Sequence, residues 1–396
     1  MAVVESSTPP AHSRLLALDL LRFVAVMLVI GRHMETPPES WPHAVRVFFR
    51  LWQHGGWVGV DLFFVLSGFL ISGLLFAELR THGTISPLRF YARRAWKIYP
   101  PYFVMLAVSL VVIPLFGGEY TRLQVAAEVL FFQNYVRGIW HHTWSLAVEE
   151  HFYLLLPLVC LLAVRVRGRG RSSPWLLLVV GLAVSVYALV ARIDNTVAHM
   201  NFSQLTHVSP THLRLDSLFF GVMLSYGYHF HAERFVGGLR PWRLPLIAAG
   251  CLLLVPAFLI PLEKSALMNT IGFTVMYLGS GMLLMGALLC EPRRGRVLGA
   301  LGGLGATSYS IYLWHMPVLL FAVQQLAWLA GASVPFAVWL AAYVGGSLAV
   351  GALMARLVET PALRLRDRLV PSRARAMRAP RLTQATEAPA SVPAVA

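Results

Sequence analysis

The chain has 396 residues, 57% of them hydrophobic and 13% charged, and its 33 Lys and Arg against 18 Asp and Glu give a net charge of +15. With a mean hydropathy of +0.64, this excludes an ordinary water-soluble domain, in which about a quarter of residues are charged. It also excludes a nucleic-acid binder, which needs a basic patch on a soluble surface.

Windows of roughly twenty mainly apolar residues are long enough to cross a bilayer as helices. The sequence offers ten, at 15–34, 57–79, 98–116, 144–164, 174–192, 213–230, 244–262, 270–290, 305–329 and 334–358. They predict an all-α integral membrane protein, a bundle of about ten transmembrane helices. The segment 123–136 is too short and polar to count and reads as re-entrant or interfacial. Loops on the cytoplasmic side of a membrane carry excess Lys and Arg. The clusters Arg80 to Lys97, Arg165 to Arg171, Arg234 to Arg243 and Arg293 to Arg296 follow alternate spans, as does the basic tail. That alternation predicts both termini in the cytoplasm, with a tail at 1–14, a membrane domain at 15–358 and a largely disordered tail at 359–396. The first window could pass for a secretory signal, but it holds Asp19 and Arg22 and no small-residue cleavage site follows closely. No inverted repeat is visible, which weighs against a transporter. Cys160, Cys251 and Cys290 lie in apolar runs at spacings that fit neither a disulfide framework nor a metal site.

Ionisable residues within membrane helices are costly and mark candidate sites. In the first span, Arg22 and His33 lie eleven residues apart, on nearly one face and about 16 Å apart along the axis. Asp19 is spaced to pair with Arg22. His33 offers an imidazole able to act as general base at neutral pH, although an interfacial histidine beside a self-neutralised Arg–Asp pair is the plainer reading of the same residues. In the second span, Asp61 sits at the same end as His33 and can orient an imidazole. The fourth begins His142-Thr143-Trp144-Ser145-Leu146-Ala147-Val148-Glu149-Glu150-His151. Either Glu149 or Glu150 is a candidate acid–base partner of His33, while early-turn carboxylates also suit a helix dipole. His141, His142 and His151 invite a zinc reading, but no H-E-x-x-H pattern or cysteine supports it, so no metal is predicted. Arg93 and Arg94, in FYARRAWKIYPPYF, can hold phosphates by bidentate contacts or serve only as anchors at anionic headgroups. His315 lies in the ninth span, and His212 with Asp216 makes a weak H-x-x-x-D match.

Taken in order, the arginine–ten–histidine pair Arg22 and His33, GVDLFFVLSGFLIS, FYARRAWKIYPPYF, TWSLAVEEHFYLLLP, RLDSLFFG, SYSIYLWHMP and VETPALR resemble the acyltransferase 3 family of multi-spanning membrane O-acyltransferases over nearly the whole chain. The resemblance implies a bacterial plasma-membrane enzyme that moves an acyl group from acyl-CoA, acetyl-CoA or another short-chain donor, to a hydroxyl. It implies His33 as catalytic base, Arg22 as a cation positioning the donor and Glu149 as a further active-site carboxylate. Many members continue into an extracytoplasmic hydrolase-like domain. The short tail here, with Ala- and Arg-rich usage typical of GC-rich bacterial genomes, points by analogy to the branch that acylates macrolide antibiotics. O-acetylation of a surface polysaccharide and a transporter without acyl-transfer chemistry are the alternative expectations.

Overall fold

A computed structural model of the chain describes residues 11–166, 174–199, 201–290, 292, 295–324 and 334–372. The described residues are helical with no strand. The α-helices are α1 (Ala11–Arg32), α2 (His43–Gly55), α3 (Val58–His82), α4 (Pro87–Leu115), α5 (Arg122–Val129), α6 (Trp144–Val166), α7 (Leu176–Ala198), the single turn α8 (Gln204–His207), α9 (Leu215–Phe230), α10 (Ala232–Leu239), α11 (Arg243–Leu259), α12 (Phe273–Cys290), α13 (Arg296–Ala306), α14 (Ser308–Pro317), α15 (Phe336–Met354) and α16 (Thr360–Leu369). Most of the N-terminal and C-terminal tails expected at 1–14 and 359–396 lie outside the described residues.

Seven stretches among the described residues are long and apolar enough to cross a membrane: Val58–His82, Pro87–Leu115, Trp144–Val166, Leu176–Ala198, Ala232–Leu259, Met268–Cys290 and Phe336–Leu369. The three further windows expected from sequence fall on helices that depart from that pattern for identifiable reasons. α1 carries Asp19, Arg22 and Arg32. α9 has only 16 residues. The window 305–329 runs through α14 into a π-helical stretch after Pro317, and its last residues lie outside those described. Leu182, Val186 and Val190 of α7 are exposed at successive i, i+4 positions, an apolar stripe suited to lipid and not to water.

Small residues let the helices that carry the polar groups approach closely, as is usual where lipid removes the hydrophobic drive between helices. α1 packs between α3 and α13, and α3 against α9. A Cβ on Gly305 of α13 would lie 1.7 Å from the Asp19 carbonyl oxygen, and one on Gly68 of α3 would lie 1.9 Å from that of Leu218. Neither backbone can retreat without moving a whole helix. Gly305→Ala is therefore expected to cost about 1–3 kcal/mol by overpacking, read as a lowered thermal midpoint of the detergent-solubilised protein. An unchanged midpoint would show that α13 is free to slide on α1.

Two short segments shape the end opposite Arg94 and Lys97. α2, with 13 residues, is too short to span and was not expected from sequence. It lies against α1, with the Trp52 indole donating to the Met27 carbonyl at 3.0 Å and the Gln53 amide to that of Met34 at 2.7 Å. The segment 123–136 forms the eight-residue α5, opened by a reciprocal Thr121–Gln124 capping box, and then turns at Phe131, whose φ of 56° lies in the left-handed region. Fully buried Glu128 holds this turn in place. Its carboxylate accepts from the Tyr102 hydroxyl at 2.6 Å, the Trp140 backbone N–H at 2.9 Å and the Thr143 hydroxyl at 3.0 Å.

Candidate active site

Two neighbouring cavities lie within the bundle. The first, about 160 Å³, is bounded by α1, α3, α4, α6 and α14 and lined by Arg22, Arg94, Lys97, Ser67, Glu149 and Tyr153 among others. Its charge is set by short-range geometry. Arg22 pairs with Asp19 one turn earlier, at 3.0 Å. Lys97 pairs with Glu359, whose other oxygen accepts from the Ser310 hydroxyl at 2.6 Å. Glu149 accepts from the Tyr153 hydroxyl at 2.9 Å, and that hydroxyl lies 2.6 Å from Ser67 Oγ. Arg22, Arg94 and Lys97 all reach the lining and Glu149 is the one carboxylate there, Asp19 and Glu359 pairing with Arg22 and Lys97 from outside it, so the chamber presents basic donors suited to phosphate-bearing ligands.

The second cavity, about 80 Å³, is lined by Arg32, His33, His141, His142, Trp144 and Glu263 among others. Arg32 and Glu263 form an ion pair at its rim. Partial burial raises the Glu263 carboxyl, but a backbone hydrogen bond and the Arg32 guanidinium outweigh it and hold the group below the usual carboxylate range. Deeper in, three imidazoles from three parts of the chain pack together. The ring centroids of His33 and His315 are 5.3 Å apart, and those of His315 and His142 are 4.8 Å apart. His315 Nδ1 lies 2.6 Å from the Tyr312 carbonyl oxygen. A carbonyl only accepts, so the proton sits on Nδ1 and leaves Nε2 as an acceptor.

Val60 and Tyr312 line both cavities and form the partition between them. The Tyr312 hydroxyl is anchored there, donating to the His142 carbonyl at 2.6 Å and lying 2.6 Å from Ser145 Oγ.

The sequence-derived candidates are thus divided. Arg22, Arg94 and Glu149 share the basic cavity, whereas His33 faces the other one. Of the adjacent carboxylates, Glu149 lines the basic cavity, while Glu150 turns to the Tyr99 hydroxyl, 3.1 Å away. Asp61 lines neither cavity. It accepts from Arg214 at 2.7 Å and from the Ser217 hydroxyl at 3.2 Å, so its partner is a guanidinium and not the His33 imidazole. Arg93 is also elsewhere, donating to the Val370 carbonyl and to Asp367 at 3.0 Å, where it ties α4 to the end of α16. The histidines of the zinc reading diverge: His142 joins the imidazole cluster, and His151 meets the Thr211 hydroxyl at 2.6 Å. Sequence reading gave no role to Tyr312, Ser145 or Lys97. The signal available for the first two was spacing: Ser145, Glu149 and Tyr153 recur every four residues on α6, and Tyr312 precedes His315 by three on α14.

The chain spans about half the length of the relatives it matches. It is 27% identical over 326 residues to O-acetyltransferase OatA of Staphylococcus aureus strain NCTC 8325, covering 77% of this chain and 50% of that protein. It is 24% identical over 327 residues to a putative O-acetyltransferase of S. aureus strain COL, again covering 77% and 50%. No solved structure matches. The profile of the acyltransferase domain of the acyltransferase 3 family matches residues 15–356; this chain is a multi-pass membrane protein that belongs to that family.

Proposed function

We propose that the protein is an O-acetyltransferase of the bacterial plasma membrane that takes an acetyl group from acetyl-CoA on the cytoplasmic side and places it on a hydroxyl presented from outside. The observation that carries this reading is the pair of neighbouring cavities, one basic and one lined by imidazoles, that share Val60 and Tyr312 as lining residues. Positive loops stay inside, and on that rule the Arg80 to Lys97 cluster assigns the Arg94 and Lys97 end to the cytoplasm. Arg22, Arg94 and Lys97 then receive the phosphates and thioester of the coenzyme, and the Glu149 carboxyl stands beside the departing sulfur. His33, on the other side of the partition, takes the proton of the acceptor hydroxyl as its oxygen attacks the thioester carbonyl.

An acetyl donor is favoured because both relatives are named as O-acetyltransferases. A surface glycan is favoured over a macrolide as acceptor, since the His33 cavity lies at the end away from the cytoplasm. Membranes containing the protein are expected to transfer label from acetyl-labelled acetyl-CoA to a sugar-bearing product, and membranes lacking it are not. Uptake of an unmodified solute with no label transferred would favour a transporter instead.

The division of the two arginines gives a sharper expectation. Arg94→Ala removes a cation from the basic cavity and is expected to raise KM for acetyl-CoA by about 10- to 100-fold, the loss of a charge-assisted hydrogen bond of about 1.5–3 kcal/mol. Arg93→Ala is expected to leave that KM within about twofold and to loosen the α16 end of the bundle. Equal effects on KM from both would count against this assignment of the donor site.

A further inference from the structure

Acyl transfer leaves a proton on the wrong side. The acceptor O–H bond breaks at His33, the oxygen bonds to the acetyl carbon, the C–S bond breaks, and the proton must finally rest on the coenzyme sulfur. With donor and acceptor placed as proposed above, on which this inference rests, the base and the leaving group face different cavities. Either the proton leaves to the outside while the thiolate takes another from the cytoplasm, or it is returned through the protein.

A line of polar side chains runs through the partition. Tyr312, which lines both cavities, has its hydroxyl 2.6 Å from Ser145 Oγ; that hydroxyl donates to the His142 carbonyl, so passing its proton to Ser145 requires the O–H to turn away from that carbonyl. Ser145 and Glu149 both line the basic cavity one helical turn apart on α6, and i, i+4 side chains are neighbours on a helix surface. The line goes on from Glu149 to Tyr153 at 2.9 Å and to Ser67 at 2.6 Å. On the far side, Tyr312 packs against His142 and His315, with ring centroids 5.5 and 5.6 Å away, and it shares the cavity of His33. Phenylalanine at position 312 would keep the ring packing and lose both hydroxyl contacts.

We infer that Tyr312 and Ser145 form a proton-return path, which carries the proton taken by His33 through the partition to Glu149 and from there to the coenzyme thiolate. Each hydroxyl passes on its own proton and receives another, so the path ends a turnover unchanged. Transfer is then electroneutral, and no proton is released on the acceptor side.

The test uses the full chain in proteoliposomes, with acetyl-CoA outside, methyl glucoside as the hydroxyl probe and a pH-sensitive dye inside, so that only molecules with the coenzyme face outward turn over. Free thiol should appear outside without acidification of the lumen. Tyr312→Phe should lower kcat about 100-fold with KM for acetyl-CoA within about twofold, and its residual turnover should acidify the lumen by one proton per thiol. Ser145→Ala should behave alike, and the double variant should be no slower than the worse single one. Lumenal acidification by the wild-type protein would overturn the path, a result that does not depend on any variant folding. So would a Tyr312→Phe enzyme within about threefold of wild-type kcat. If no thiol appears, the acyl-transfer reading falls and the path falls with it, which separates that failure from the other two.

Discussion

Replacing His33 by alanine is expected to reduce acetyl transfer about a thousandfold while KM for acetyl-CoA changes by less than about twofold. A positioned general base contributes typically 10²- to 10⁴-fold; His141 and His142 also line the cavity, and the expectation is that neither stands in for His33. His315 is fully buried and His142 nearly so, at 0% and 2% exposed. Donor binding should be insulated because Val60 and Tyr312 stand between His33 and the basic cavity. His33 is only partly buried, so its loss should leave the amount of folded protein unchanged. The measurement is label transfer at matched protein level, and activity within about threefold of wild type would remove His33 from the role of base.

Asp61→Ala is expected to act on stability instead, by about 3–5 kcal/mol, seen as failure to accumulate or as a strongly lowered unfolding midpoint in detergent. Asp61 and Arg214 are 0% and 1% exposed and joined at 2.7 Å. Removing one partner leaves an uncompensated buried charge, which is what makes such changes costly. The remaining guanidinium would keep its place 3.9 Å over the Phe273 ring and its more distant contacts with Phe64 and Trp144, none of which supplies a counter-charge. Behind it lies a second buried pair, Arg192 with Asp216 at 2.8 Å, and Arg192 also donates to the Thr274 hydroxyl. Asp61→Ala combined with Arg214→Met should recover a large part of the loss, because the pair is then replaced by apolar atoms. A single variant as stable as wild type would mean that water reaches Arg214 and that the pair is not sealed.

Hydropathy made the helical membrane architecture legible, since it depends on neighbours in sequence. α1 and α9 resist the same logic for a physical reason: one is charged within its apolar run and the other is short, and both are held by close contact with other helices. The candidate site was legible as a set of residue types and illegible as an arrangement. Arg22 and His33 were expected on one face of one helix, which suggested one site, whereas α1 ends at Arg32 and His33 is the turn residue that follows it. The wall between them is built by Val60 from α3 and Tyr312 from α14, a meeting that no local spacing encodes. Asp61 was assigned to His33 because both sit at the same end of the bundle, whereas its partner Arg214 is 153 residues further along. Between Arg93 and Arg94, the choice depends on which way α4 faces α16, again a long-range contact.

The buried pairs also set a schedule for the chain's birth. Asp61 enters the membrane with α3, and its counter-charge is synthesised 153 residues later, about 8 to 30 s at 5–20 residues per second. Asp61 lies in the first turn of α3, so unpaired it costs less than the about 2.5–3.5 kcal/mol that insertion scales give for a charge at the centre of a bilayer. For that interval α3 must be sheltered, either within the insertion machinery or by the polar face of α1 beside it, and α7 must wait in the same way, more briefly, until α9 delivers Asp216 to Arg192. Arg214 and Asp216, at the start of α9, thus act as a late lock on the nascent bundle, and slowing translation between α3 and α9 should lower the yield of inserted protein more than slowing it anywhere after α9.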